Sequence, residues 1–295
     1  MSEAAPPERV TIREVGPRDG LQAEKPLPVA ARARLIDALS ATGVPKIEAV
    51  SFVSPKAVPA MAGAADVWAK VSRSPGVEYS ALVPNRRGAE AAAEAGGFAS
   101  LQAFIAASDG YNRKNLGKTA EESLQDVRDV VDVATAAGLP VEVSISSAFG
   151  DPYEGDVTPE RVLEVATWVA EAGAVGASLA DTTGVATPDG IRVVVALLSG
   201  RLPELRLNLH LHDTNGTALS NALAAVEAGV TELDASVGGL GGSPFAPGAN
   251  GNLATEAIAD ALADRGVETA IDRGRLAEAA DLAESLLGHP LPVRS

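Results

Sequence analysis

One recurrent phrase constrains the fold of this chain more than any other feature. An alanine-rich, helix-prone stretch ends at a glycine, and a short apolar stretch follows it. Glycine just past a helix readily adopts the left-handed cap conformation that other residues resist, so each phrase predicts a junction between a helix and a strand. The phrase occurs five times, as SATGVPKIEAV, EAGGFASLQAF, TAAGLPVEVSI, EAGAVGASLAD and EAGVTELDAS, with the glycines at Gly43, Gly96, Gly138, Gly173 and Gly229.

Reading outward from these junctions predicts eight strands that alternate with eight helices. Such alternation is typical of an α/β protein, with a parallel sheet covered by helices. The strands are expected near 10–15, 46–51, 77–83, 101–106, 140–146, 175–180, 205–212 and 231–236. The helices are expected near 28–42, 57–73, 86–95, 119–137, 159–172, 188–200, 216–228 and 254–265, with one or two more near 273–287.

The length of 295 residues favours a closed (β/α)8 TIM barrel over a doubly wound open sheet, which is the alternative. Because no linker or break in composition interrupts the chain, residues 1–295 are expected to form a single catalytic domain. Within it, the barrel is expected at about 10–265 and a C-terminal helical extension at about 266–295. Active sites of such barrels lie at the carboxyl ends of the strands, where polar residues become the candidates.

Composition and charge disfavour several classes of function. The net charge of −15 disfavours nucleic acid and anionic membranes as partners. The chain has no cysteine, which excludes disulfides, thiolate metal sites and a cysteine nucleophile. Residues 1–8 show no targeting pattern, and no apolar run reaches the roughly 18 residues of a membrane span, so a cytoplasmic protein is expected.

The predicted seventh strand, ELRLNLHLHD, carries two histidines at its carboxyl end. Its leucines alternate with polar residues, so the leucines are expected to face the helices, and His210 and His212 to face into the barrel. Two histidines satisfied by hydrogen bonds in the core are the alternative. A metal site is favoured, because two of only three histidines in the chain share one inward face at the catalytic edge.

Carboxylates at neighbouring strand ends are expected to complete this site, since hard cations prefer oxygen ligands. Strand one ends in GPRDG. In a closed barrel only strand eight lies between strands one and seven, so Asp19 is expected to face the histidines, with Arg18 beside it. A tight turn without a ligand is the alternative. Glu48 and Asp181 also fall at strand ends, where a buried carboxylate is costly without a cation. An arginine partner for Glu48 and a helix cap from Asp181 are the structural alternatives.

A glycine-rich segment, VGGLGGSPFAPGANGNLATE, follows the eighth predicted strand. It is predicted to be a mobile lid or a loop whose backbone closely approaches a ligand. It lacks the Lys-Ser/Thr pair of a phosphate-binding P-loop. Asn252, where this segment meets the last barrel helix, is expected to be a helix cap or a ligand.

Six segments together resemble the 3-hydroxy-3-methylglutaryl-CoA lyases, a branch of the barrel metalloenzymes that also include isopropylmalate and homocitrate synthases. The resemblance spans about residues 10–285, and SFVSPK, PYEG and GGLGG point to the lyase branch. The six segments are EVGPRDGLQAEK, IEAVSFVSPKAVPAM, SSAFGDPYEG, LADTTGVATP, LHLHDTNGTAL and GGLGGSPFAPGANGNLATE.

The resemblance implies cleavage of a hydroxymethylglutaryl-CoA-like thioester to acetyl-CoA and acetoacetate. It implies an acyl-CoA substrate and Mg²⁺ or Mn²⁺ as cofactor, with Arg18 stabilising an enolate oxygen and Gln22 close to Arg18 in the substrate site. The general base stays open between His210, Asp19 and Glu48. The implied metal ligands are Asp19, His210, His212 and Asn252, and the implied catalytic residues are Arg18, Glu48, Asp181, His210 and Ser243.

Ser243 departs from the family pattern, because lyases of this family carry a catalytic cysteine at the matching loop position. A serine hydroxyl exchanges protons near neutral pH far less readily than a thiol of pKa about 8.5. The departure predicts a slow lyase, a proton that moves through water, or a related acyl-CoA as substrate. A Claisen condensation of an acyl-CoA with a 2-keto acid and a metal-binding barrel without catalysis are the alternatives. The apolar outer helices also predict a homodimer.

Overall fold

Eight parallel strands close into a barrel in the computed structural model, which describes residues 7–242 and 251–293. The strands follow one another around the barrel in chain order, and the first also pairs with the last. This closure confirms the predicted (β/α)8 TIM barrel and excludes the open sheet. The strands are β1 Thr11–Glu14, β2 Lys46–Ser51, β3 Glu78–Leu82, β4 Ser100–Ala106, β5 Val141–Ser146, β6 Gly176–Asp181, β7 Arg206–Leu211 and β8 Glu232–Ala235.

Helices cover the outside of the barrel, and several begin where the sequence supplies a side-chain cap. Thr119, Thr158 and Thr187 each accept a backbone N–H from the first turn of the helix that follows, which satisfies a donor that has no partner inside the helix. The helices are α1 Val29–Ser40, α2 Ala64–Trp68, α3 Arg86–Ala95, α4 Asp109–Leu116, α5 Ala120–Ala136, α6 Pro159–Glu171, α7 Pro188–Arg201, α8 Ala218–Glu227, α9 Thr255–Ala263 and α10 Arg273–Leu287.

The structure differs from the sequence prediction in two helical regions. The long helix expected near 57–73 is a short turn at Pro59–Met61 followed by α2, because a proline and a glycine interrupt the segment and Gly63 takes a positive φ of 72°. The sequence prediction has no helix at α4, whose residues DGYNRKNL lack apolar periodicity. The described part of the C-terminal extension, up to residue 293, contains one helix, α10, which contacts α1.

The barrel interior holds a buried network of charged side chains instead of the branched aliphatic layers that usually fill such barrels. Arg13 Nη1 lies 2.6 Å from Glu142 Oε2, and Arg13 Nε lies 2.7 Å from Asp234 Oδ1. Nearer the amino ends of the strands, Lys46 Nζ lies 2.7 Å from Glu232 Oε2. Aliphatic side chains therefore form the layer between strands and helices, and charged side chains occupy the centre of the barrel.

A membrane-spanning helix is absent from the described residues, since none of their helices combines the necessary length and apolar character.

Candidate active site

A short helical turn directly after β1, Gly16–Gly20, places Arg18 and Asp19 at the carboxyl end of the barrel. The buried carboxylate of Glu14 holds this turn, because it accepts the N–H of the first turn residue at 2.7 Å. The same carboxylate accepts the N–H of Val237 at 3.0 Å and the hydroxyl of Thr255 at 2.6 Å. Glu14 thereby ties the Asp19 turn to the two segments that follow β8.

Asp19, His210 and His212 form a compact cluster in which one ligand atom from each residue lies within 4.8 Å of the others. The Nε2 atom of His210 is 3.3 Å from the Nε2 atom of His212 and 3.8 Å from Asp19 Oδ2. All three side chains are buried. A carboxylate and two imidazoles are suitable ligands for a divalent cation, so these residues form a candidate metal triad.

Asn252 lies against this triad. Its amide nitrogen donates to Asp19 Oδ2 at 2.8 Å and to the carbonyl of Leu240 at 3.0 Å. Its Oδ1 atom is buried and has no hydrogen-bond partner among the described residues. A buried oxygen without a partner is costly, and amide oxygens bind hard cations, so the orphaned Oδ1 fits a metal ion at this site.

The second ring nitrogen of each histidine is held by an acceptor. The Nδ1 of His210 lies 3.1 Å from Asp234 Oδ2, and the Nδ1 of His212 lies 3.2 Å from the carbonyl oxygen of Gly251. Because both acceptors lack a proton, each Nδ1 carries one and donates it. Each Nε2 then presents its lone pair, which is the arrangement that metal-binding histidines adopt.

Burial and neighbouring charges set the protonation of the triad. Burial, reinforced by His210, lowers the pKa of His212 to about 4, which keeps this imidazole neutral and able to bind a metal. For Asp19, the charges of Arg18 and the two histidines outweigh burial and lower the carboxyl pKa. Burial opposes protonation of His210, but Asp234 and Asp19 outweigh it and raise the pKa of His210, so protons compete with a metal there.

Arg18 connects the triad to Glu48. Its Nε and Nη2 atoms lie 2.5 and 3.1 Å from the two carboxylate oxygens of Glu48, and its Nη1 lies 2.7 Å from Asp19 Oδ1. Gln22 Nε2 donates to the same Asp19 oxygen at 2.7 Å. The guanidinium is therefore fixed by two carboxylates, and the arginine partner considered for Glu48 is present.

A cavity of about 260 Å³ opens onto these residues at the barrel mouth. Its lining combines the polar site residues with apolar side chains such as Val58 and Phe104. Asp181 and Asn252 lie outside the lining formed by the described residues. The predicted site residues that do line it are Arg18, Asp19, Gln22, Glu48, His210 and His212.

Comparison with known proteins identifies the family of this chain. A family model described as HMGL-like matches residues 9–283. The chain belongs to the HMGL-like family. This membership confirms the family resemblance seen in the six sequence segments, and the family is metal-dependent.

Relatives in this family are similar over nearly their whole lengths. The hydroxymethylglutaryl-CoA lyase of Bacillus subtilis is 44% identical over 291 residues, which cover 98% of this chain and 97% of that protein. The crystal structure of the Bacillus subtilis HMG-CoA lyase covers 99% of this chain and 98% of its own, with a TM-score of 0.94 and 43% identity. An HMG-CoA lyase from Acinetobacter baumannii, in complex with coenzyme A and 3-methylmalate, covers 97% of this chain and 93% of its own, with a TM-score of 0.91 and 36% identity.

Asp181, a predicted residue of this HMGL-like site, does not line the cavity and instead contacts the loop that follows it. The Asp181 carboxylate accepts the N–H groups of Val185 and Ala186 at 3.0 Å each, so it holds the loop between β6 and α7. Burial raises the pKa of Asp181 to about 6. Ser243 lies outside the described residues.

Arg13 and Asp234 also line the cavity, although the sequence prediction includes neither. Both occupy inward positions near the middle of strands, in TIRE and ELDA, where an aliphatic side chain is usual. A charged residue at an inward strand position is the signal that identifies them. The sequence alone does not show which of these charged residues meet, because that depends on which strands are neighbours in the closed barrel.

Proposed function

We propose that this chain is a metal-dependent lyase that cleaves a 3-hydroxy-3-methylglutaryl-CoA-like thioester to acetyl-CoA and acetoacetate, with Mg²⁺ or Mn²⁺ as its ion. The observation that carries the proposal is the Asp19–His210–His212 triad in a cavity at the carboxyl end of the barrel, beside Arg18. Membership of the HMGL-like family and similarity to the Bacillus subtilis lyase support the same chemistry.

The triad residues would hold the ion, and Asn252 would contribute its orphaned Oδ1. Carboxylate and amide oxygens with imidazole nitrogens suit Mn²⁺ and Mg²⁺ better than they suit a soft metal. When bound, the ion supplies a positive centre that attracts the hydroxyl and carboxylate oxygens of the substrate and lowers the pKa of that hydroxyl.

The reaction needs a base for one proton and a cation for one developing charge. The tertiary hydroxyl gives its proton to the base, the adjacent carbon–carbon bond breaks, and its electron pair passes to the carbon next to the thioester. The products are the ketone of acetoacetate and the enolate of acetyl-CoA, which then takes a proton at carbon. No atom or electron is left over, so no further reactant is required.

Arg18 is the residue that we assign to the enolate oxygen, because its guanidinium keeps its positive charge at any ordinary pH. The two contacts from Glu48 fix the direction of that guanidinium before the substrate arrives. Glu48 lines the cavity and is assigned to proton handling. His210 is assigned the role of holding the ion, because its Nδ1 donates to Asp234 and only its Nε2 has a lone pair. Asp181 is assigned an ordering role, because its carboxylate oxygens accept backbone N–H groups of the β6 loop.

Ser243 is proposed to limit the rate, because a hydroxyl delivers protons near neutral pH far less readily than a thiol. Ser243→Cys should raise the rate of acetoacetate formation. If this variant shows no gain, the slow-lyase explanation is wrong, and a related acyl-CoA becomes the better substrate hypothesis.

The test is acetoacetate formation from 3-hydroxy-3-methylglutaryl-CoA with Mg²⁺ or Mn²⁺. The wild type should form product, Asp19→Ala should not, and Asp189→Ala, which removes an exposed carboxylate on α7, should match the wild type. A folded, metal-loaded wild type that forms no product would contradict the proposal. Longer hydroxyacyl-CoAs would be tested next, and thioester consumption that requires a 2-keto acid would identify the Claisen alternative.

Homodimer assembly, a cytoplasmic location and the single-domain organisation remain predictions from the sequence. Sedimentation of the purified chain would test the first of these directly.

A further inference from the structure

The carboxylate of Asp234, on β8, lies inside the barrel next to His210. Its Oδ2 atom accepts the Nδ1–H of His210 at 3.1 Å, and its Oδ1 atom accepts the amide N–H of Asn208 at 2.7 Å. Arg13 donates to both oxygens, from Nε at 2.7 Å and from Nη2 at 3.2 Å. Asp234 is only 4% exposed, so protein donors take the place of water around it.

Strand register brings these residues together. Arg13 is the register partner of Asp234 where β1 pairs with β8, and His210 is its partner where β7 pairs with β8. Arg13 also reaches Glu142 on β5, on the far side of the interior, at 2.6 Å. The guanidinium is thus fixed from two sides, and it fixes the carboxylate that holds His210.

The hydrogen bond from Nδ1 of His210 to Asp234 determines that Nε2 is the ring nitrogen available to a metal ion. A carboxylate that already accepts from a guanidinium can only accept, so Nδ1 of His210 keeps its proton. The Nε2 lone pair then faces Asp19 and His212, at 3.8 and 3.3 Å. Carboxylates that hold a metal-binding histidine in this way set its tautomer and ring orientation.

We propose that Asp234, held in place by Arg13, is a positioning residue that fixes the tautomer and orientation of His210 and thereby sets the affinity of the site for a divalent cation. The inference rests on the metal site of the proposed function and extends it to two residues that bind no metal themselves. It also explains a costly feature, since a guanidinium and two carboxylates buried in a barrel are expensive to desolvate. Aliphatic side chains would fill the same space at lower cost.

Asp234→Asn tests this role with little change in volume. An asparagine has one carbonyl oxygen, so its amide nitrogen must take the Oδ1 position, which faces Arg13 Nε and Asn208 at 2.7 Å each, or the Oδ2 position, which faces His210 at 3.1 Å and Arg13 Nη2 at 3.2 Å. The Oδ1 position brings the amide nitrogen closer to its two donors, and the neutral imidazole of His210 can accept a hydrogen bond where those donors cannot, so the amide nitrogen should turn to His210. The imidazole would then accept at Nδ1 and carry its proton on Nε2, where the metal binds.

The measurement is the dissociation constant for Mn²⁺, from electron paramagnetic resonance titrations of metal-free protein. Asp234→Asn should weaken Mn²⁺ binding by about 10- to 100-fold. Lys46→Gln is the matched control, because Lys46 belongs to the same ionic network through Glu142 and Glu232 but does not contact Asp234. Its Mn²⁺ affinity should equal that of the wild type.

The second readout is the tautomer itself, from nitrogen NMR of ¹⁵N-histidine-labelled, metal-free protein, which has only three histidines. His210 should carry its proton on Nδ1 in the wild type and lose that state in Asp234→Asn. If Asp234→Asn does not fold, Arg13→Lys, which keeps the charge but loses the two-atom contact, should still weaken Mn²⁺ binding.

This inference would be overturned, and the proposed function left standing, if a folded Asp234→Asn or Arg13→Lys variant bound Mn²⁺ as tightly as the wild type does. The same holds if His210 of the wild type carries its proton on Nε2. A wild type that binds no Mn²⁺ would overturn the proposed metal site and this inference with it.

Discussion

Gly241→Ala should damage the metal site through one added methyl group. Gly241 has a φ of +137°, and a Cβ atom built on it would lie 2.2 Å from the amide nitrogen of Asn252 and 3.2 Å from its Cγ. Non-bonded atoms do not approach so closely, so the Asn252 amide must move away. It would then lose its hydrogen bonds to Asp19 at 2.8 Å and to the carbonyl of Leu240 at 3.0 Å.

The size of the effect follows from these contacts. A hydrogen bond to a carboxylate contributes about 1.5–3 kcal/mol and one to a carbonyl about 1 kcal/mol, so their loss removes about 3 kcal/mol. The backbone strain of alanine at a positive φ adds about 1–3 kcal/mol. Because Asn252 would also be displaced from the triad, Mn²⁺ binding should weaken by about 10- to 100-fold.

Gly229→Ala is the control, because Gly229 also has a positive φ, of +100°, while its added Cβ meets no described atom within 4 Å. Urea unfolding of metal-free protein should show Gly241→Ala less stable than Gly229→Ala by about 3 kcal/mol. Mn²⁺ titrations should show weakened binding in Gly241→Ala alone. Equal stability and equal Mn²⁺ affinity in the two variants would refute the reasoning.

Three further predictions concern pH, charge and metal removal. Burial raises the pKa of Glu14 from 4.5 to about 7, so the folded chain keeps a proton that the unfolded chain releases. Glu14 should therefore contribute a fall of about 3 kcal/mol in the free energy of unfolding between about pH 4.5 and 7. Urea titrations should show a fall that is smaller by this amount in Glu14→Gln than in the wild type, and an equal fall in both would contradict the role of Glu14. Arg18→Lys keeps the charge but loses the two-atom contact with Glu48, so kcat should fall by about 100-fold in steady-state assays. An unchanged kcat in this variant would argue against the role of Arg18. Mn²⁺ at about 100 times its Kd should stabilise the wild type by about 2.7 kcal/mol in thermal unfolding but leave Asp19→Ala unchanged; stabilisation of both would place the ion elsewhere.

The sequence predicts the barrel well because its signals are local and repeated. Gly138, for example, directly follows the C-terminal cap of α5 with a φ of +71°, as its position after an alanine-rich stretch indicates. The alternation in β7 correctly places His210 and His212 together, and closure of the barrel brings Asp19 to them as expected. Periodicity is weaker evidence for short or polar helices, which is why α2 is shorter than predicted and α4 has no counterpart in the prediction.

The remaining parts of the site depend on contacts between distant positions. Arg13 and Asp234 are 221 positions apart in the chain and meet only because β1 pairs with β8. Strand alternation places Glu48 and Asp181 at strand ends but does not show which groups their oxygens accept. The carboxylate of Glu48 meets Arg18, whereas that of Asp181 turns to its own loop. The hydrogen-bond partners of these two carboxylates depend on side-chain rotamers and loop conformation, which the strand pattern does not specify.

The most direct test of the central claim is one titration of metal-free wild type with Mn²⁺, in which bound ion and acetoacetate formation from 3-hydroxy-3-methylglutaryl-CoA are followed in the same samples. If the triad is a catalytic metal site, both signals should rise together and saturate at about one ion per chain. Turnover in the metal-free protein, or an ion that binds at the triad without any turnover, would contradict the account.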